Sequence, residues 1–133
     1  MKEILDLVQQ TLDSVLAEDN VRSYWGRRDD DPDAKTSEYI IYSFRGDSAD
    51  VSADGDVMYR MMSVDLQYYL RFRIARTYAG RIKAADRMDA LREAMRASGF
   101  GCPAGWVEIG DVDEVGFATF VSSYDIPRLM DGE

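Results

Sequence analysis

Residues 64–74 read Val-Asp-Leu-Gln-Tyr-Tyr-Leu-Arg-Phe-Arg-Ile. Val64, Leu66, Tyr68, Leu70, Phe72 and Ile74 take every second position, and Asp65, Gln67, Tyr69, Arg71 and Arg73 stand between them. A period of two sends successive side chains to opposite faces of a strand. The stretch therefore predicts a long strand with one face in a core and the other in water or at an interface.

Working back from it, the chain is extended from Val57, and residues 45–56 (RGDSADVSADGD) are rich in turn formers, with Asp54-Gly55 the strongest turn signal. Residues 38–45 (EYIIYSFR) are β-branched and aromatic, which suits a buried strand. Before them, residues 20–37 read as a loop because Gly26, Pro32 and an acidic run oppose regular structure, while Tyr24 and Trp25 pin its start to the core. At the beginning, Ile4, Leu5, Val8, Leu12, Val15 and Leu16 recur at spacings of three and four. That pattern predicts an amphipathic helix ending near Asn20.

Downstream, a second helix is expected from Arg81 to Ser98, with Ile82, Ala85, Met88, Leu91 and Met95 as its apolar stripe. Gly99 stands where a left-handed cap belongs, and Phe100 is placed to touch Met95 as in a Schellman ending. After the turn at 101–105, residues 106–110 and 115–123 predict a last hairpin around Asp111–Glu114, and the polar tail from Pro127 is expected to be loose. The order is helix, strand, long hairpin, helix, hairpin. This is an α+β class, α-β-β-β-α-β-β, with a mainly antiparallel sheet and two amphipathic helices packed on one face. One domain spans 1–133, with long loops at 20–37 and 46–56 and the tail at 127–133; a chain of this length can bury a core without staples.

The composition narrows the chemistry. Histidine is absent, which removes Ser-His-Asp and Cys-His catalysis and imidazole metal sites. Cys102 is the single cysteine, so neither an internal disulfide nor a thiolate-rich zinc site can form, and no basic neighbour activates it. The formal charge of −9 opposes wrapping by nucleic acid, which needs clustered cations. The charged first helix lacks the apolar centre of a signal peptide, and no stretch has the roughly 20 apolar residues of a membrane span. A cytoplasmic protein with no membrane partner is expected.

Three motifs resemble known sites and fail on inspection. Residues 50–55 open like a calcium loop, but the twelfth position is Met61 where a bidentate Glu is required. Arg45-Gly46-Asp47 spells an adhesion tripeptide built from ordinary turn residues. Gly80 belongs to no phosphate-binding loop. No catalytic residue, metal or cofactor is expected.

Several features together resemble the tail-terminator (tail-completion, tail-to-head joining) proteins of long-tailed bacteriophages and prophages. They are the opening helix at 2–19, Trp25-Gly26, the strand at 39–43, the acidic hairpin at 46–56, the strand at 64–67, the helix closing on Ala97-Ser98-Gly99-Phe100, and the last hairpin. The charged loop at 20–37 and the arginines of residues 68–73 depart from that pattern. The resemblance implies a non-catalytic ring, usually a hexamer, that caps the head-proximal end of the tail tube and meets the head connector. Its partners would be sister subunits, tail tube protein and connector. DNA would pass through the lumen without sequence-specific binding. The protein would sit in the host cytoplasm during assembly and at the head–tail junction of the virion. Such a ring closes by heterologous contacts and needs two different patches on each subunit. Candidates are Asp47, Asp50, Asp54 and Asp56 on the hairpin, and Asp65, Gln67, Tyr69, Arg71 and Arg73 on the polar face of the alternating strand. The alternative is a small ligand-binding or regulatory α+β domain; another head–tail connector or head-closure part is the nearest neighbour of the terminator reading.

Overall fold

The computed structural model of the chain describes residues 2–19, 21–26, 37–51, 58–101, 105–109 and 116–129; residues 2, 45–51, 58–61 and 127–129 are described by backbone alone. Helix α1 (Lys2–Leu16) runs into a 3-10 turn at Ala17–Asp19. Strands β1 (Arg22–Trp25), β2 (Glu38–Val51) and β3 (Met58–Arg71) follow. A helical turn, α2 (Phe72–Ala75), leads to the long helix α3 (Tyr78–Ala97), and β4 (Val107–Ile109) and β5 (Phe117–Leu129) close the chain. The protein is α+β, with a mixed five-stranded sheet in the order β1-β2-β3-β5-β4. All neighbours are antiparallel except β1, which lies parallel to β2.

The alternation at 64–70 does what the sequence predicts. Val64, Leu66, Tyr68 and Leu70 are buried, and Asp65, Gln67 and Tyr69 are half-buried on the other face. The buried set meets Ile4, Val8, Leu12 and Leu16 of α1 and Ala84, Leu91 and Met95 of α3 in one core, so both helices cover the same face. Burying each of these large aliphatic side chains contributes about 1.5–3 kcal/mol. Thr11 of α1 and Ser98 at the end of α3 join the helices through their hydroxyls at 2.8 Å. Gln9 fixes α1 above β1 and β2, donating to Ser23 Oγ at 3.0 Å and accepting from the Tyr42 hydroxyl at 2.5 Å.

Several expectations are corrected. The loop expected at 20–37 contains β1, whose four residues pair with Tyr39–Tyr42. Residues 38–51 and 58–71 are the two strands of one long hairpin and not a short strand followed by a separate hairpin, because residues 46–51 of the expected loop pair with 58–63. The strand also stops at Arg71. Its two neighbours run out there: Leu70 is the last partner of β2 and Phe117, opposite Arg71, is the first of β5. Arg71 N still donates to Ser37 O at 2.8 Å and Phe72 N to Gly116 O at 2.6 Å; beyond these bonds the backbone satisfies its own groups by coiling into α2. Phe72 and Ile74 thus leave the alternation. The last strand runs three residues into the tail expected to be loose, since Pro127, Arg128 and Leu129 still pair with β3.

Helix α3 begins at Tyr78, one turn before the expected start, because Thr77 caps it by accepting from Gly80 N at 3.0 Å. Its end matches the expectation. Gly99 has φ +99, Phe100 N donates to Met95 O at 3.0 Å, and Gly99 N donates to Arg96 O at 3.0 Å. That is a Schellman ending. The stripe, however, is rotated. Gly80, Ala84, Arg87, Leu91 and Met95 face inward, while Ile82 and Ala85 are exposed and Met88 is half-buried.

Candidate interaction surface and a buried ion cluster

Both helices lie on one face of the sheet, and the strand register places four of the nine expected contact residues on the other, beside the buried Tyr39, Phe117 and Thr119. Asp65 accepts from Ser123 Oγ at 2.6 Å, joining β3 to β5, and Ser63 Oγ donates to Asp125 at 2.7 Å two residues away. Tyr69 donates to Gln67 Oε1 at 2.8 Å and stacks on Tyr39, with ring centres 4.6 Å apart and planes at 8°. Phe117 packs edge-on against Tyr39 at 5.2 Å, and the Arg71 guanidinium lies over its ring at 4.2 Å. Such a cation over an aromatic face is worth about 0.5–2 kcal/mol. Asp65, Gln67, Tyr69 and Arg71 are therefore brought together on one surface and held by cross-strand contacts.

The remaining expected residues do not join them. Arg73 is an exposed residue of α2 and not a strand neighbour of Arg71. Asp47 and Asp50 lie on β2 opposite Met62 and Tyr59, with only their backbone described, and Asp54 and Asp56 fall outside the described residues. Residues 46–51, 58–63 and 126–129 continue the sheet as a three-stranded arm. It reaches past Tyr42, the last partner of β1, and past the Gly101–Asp125 bridge.

A second constellation was not anticipated. Glu38, at the start of β2, is buried beneath α3. Its carboxylate accepts from the Tyr68 hydroxyl at 2.5 Å and lies 3.3 Å from Arg87 Nη2 and 3.3 Å from Lys83 Nζ. Arg87 also donates to Asp19 at 2.7 Å and to the Val15 carbonyl at 3.4 Å. The guanidinium thus neutralises Glu38 and sits where the last carbonyls of α1 carry partial negative charge. Burial, reinforced by the Glu38 hydrogen bond and charge, pushes the Tyr68 hydroxyl well above its ordinary range. These groups pair with one another, although Arg87 Nε has no hydrogen-bond partner among the described residues, and the cluster locks α1, β2, β3 and α3 together. Glu38 read as the polar start of a strand and Arg87 as an outer-face charge. The one available signal was Arg87 standing three or four residues from Ala84 and Leu91.

A shallow groove of about 270 Å³ runs beside Arg92, Arg96, Phe100 and Gly101, and offers the ligand-binding alternative two guanidinium groups. Among the described residues no helix is long and apolar enough to cross a membrane. The chain matches no protein-family model and no curated protein sequence.

Proposed function

We propose that this protein is a non-catalytic assembly subunit, a tail terminator that forms a ring on the end of a phage or prophage tail tube and joins it to the head connector. The observation that carries the reading is the arm. A two-layer body holds both helices on one sheet face, and the three-stranded extension of β2, β3 and β5 reaches beyond the flanking strands β1 and β4. A subunit that must touch sister copies and two further proteins needs faces that its own fold leaves unused. The sheet face opposite the helices and the arm supply them, and the resemblance in element order is supported by the helix, long hairpin, helix and closing hairpin. In this reading Asp65, Gln67, Tyr69 and Arg71 contribute to one contact and Asp47 and Asp50 to another, and the acidic balance keeps passing DNA from sticking.

Deleting the gene and imaging particles by electron microscopy tests the proposal. Overlong or headless tails are expected; normal particles would refute it. The groove at Arg92 and Arg96 favours the alternative of a small-anion-binding domain, for which thermal stabilisation by a metabolite without any assembly defect is the expected result.

A further inference from the structure

Charge and exposed apolar surface are sorted toward opposite edges of the sheet. Residues 2–19 hold five acidic residues against Lys2 alone. Within them, Asp6 and Asp13 are exposed at helical spacing on either side of Gln9, the residue that ties α1 to Ser23 of β1. On the same side Trp25 leans edge-on against Tyr42 and Phe44 yet stays 47% exposed. Residues 71–83 are the reverse, with five Arg or Lys and no acidic residue. Arg81 fastens this segment to the other edge strand through Glu108 of β4 at 2.7 Å. Arg73 and Arg76 are exposed and make no ion pair among the described residues.

Apolar exposure follows the same division. Six large apolar side chains are exposed among the described residues, and five of them, Phe72, Tyr78, Ile82, Val107 and Ile109, belong to α2, the start of α3 and β4. Tyr78 is 83% exposed. The sixth is Trp25, at the opposite edge. An isologous dimer would set each edge against itself, acid against acid or base against base. A heterologous contact sets them against each other and repeats.

We infer that a second copy of this chain docks its acidic α1, with Trp25 of the adjoining β1, onto the basic α2–α3 and β4 edge of its neighbour. The inference rests on the ring reading and specifies its contact: Asp6 and Asp13 face Arg73 and Arg76, and Trp25 enters the apolar surface of Tyr78 and Ile82, one turn apart on α3. Each subunit uses both edges once, so the contact propagates in one direction around a ring.

Sedimentation velocity on the full chain at low ionic strength, with two charge-swapped variants, tests it. Asp6→Lys/Asp13→Lys and Arg73→Glu/Arg76→Glu alter exposed residues only, and circular dichroism checks that both fold. Wild type should self-associate and dissociate as salt is raised. Each variant alone should lose association, and an equimolar mixture should regain it, because swapped and native edges then alternate. Ile82→Glu should be monomeric alone and with the Arg73→Glu/Arg76→Glu swap, and should pair with the Asp6→Lys/Asp13→Lys swap, whose α2–α3 edge is native. Wild type that stays monomeric at its highest soluble concentration overturns the contact. So do swaps without effect, or swaps whose mixture stays monomeric. Any of these results leaves the capping proposal to the particle experiment, which does not depend on which edges meet.

Discussion

Arg87, midway along α3, meets Glu38 at 3.3 Å, and both side chains are less than a tenth exposed. A charge so placed is costly without its partner, so the two residues stabilise the fold as a pair.

Arg87→Met should destabilise the protein by about 3–5 kcal/mol, because Glu38 then keeps only the half-exposed Lys83 as counter-ion. Adding Glu38→Gln should restore part of the loss. Urea unfolding of the two single variants and the double variant should give a coupling energy of about 0.5–3 kcal/mol, and additive losses would deny the pairing.

Tyr68→Phe removes the hydroxyl that donates to Glu38 and should cost about 1–3 kcal/mol at neutral pH. The pH dependence has a definite sign. Burial, then the Glu38 hydrogen bond, raises the Tyr68 pKa in the folded state, so the unfolded chain loses this proton first. Stability is therefore unaffected below tyrosine's ordinary value of about 10 and falls as pH rises beyond it. Tyr42, raised by burial and by the charge of Asp13, acts in the same direction. Unfolding free energies measured on both sides of that value should decline less steeply for Tyr68→Phe than for wild type.

Gly80→Ala should be among the most damaging single changes in α3. The added Cβ would lie 1.8 Å from the Ile74 carbonyl oxygen, so α2 and the first turn of α3 would have to separate. Losses near or above the top of the roughly 1–3 kcal/mol range for overpacking are expected in thermal unfolding.

Thr77→Ala tests the helix start. Without the hydroxyl that accepts from Gly80 N, stability should fall by about 0.5–2 kcal/mol. Hydrogen exchange should quicken at the first turn of α3 while the core strands keep their protection.

What the sequence discloses depends on how local the cause is. The alternation of β3 and the Gly99 ending are local patterns with one structural solution each, and both were legible. Strand β1 was hidden because four residues among charges carry no period, and only parallel pairing with Tyr39–Tyr42 makes them a strand. The rotation of the α3 stripe was hidden for a different reason. Arg87 counts as polar until Glu38, 49 residues away, gives it a buried partner. Of the candidate surface, the alternation foretold which residues of β3 face away from the core. The aromatic cover of Tyr39, Tyr69 and Phe117 required knowledge of which strands are neighbours. That Arg73 would leave the strand followed from where β2 and β5 end, which no window around Arg73 contains.

The irregularity between Phe44 and Gly46 puts one additional residue, Arg45, into β2 where Val64 and Ser63 are consecutive on β3. Everything in β2 beyond it is phased one step away from the half that packs under the helices. A bulge of this kind also sharpens local twist. The outer hairpin is in consequence a separately indexed module, and substitutions there can drift without resetting the inward-facing positions of Tyr42 and Ile40. Excising Arg45 would merge the two phases into one regular strand with every remaining partner on β3 kept, at the loss of the bulge's added twist.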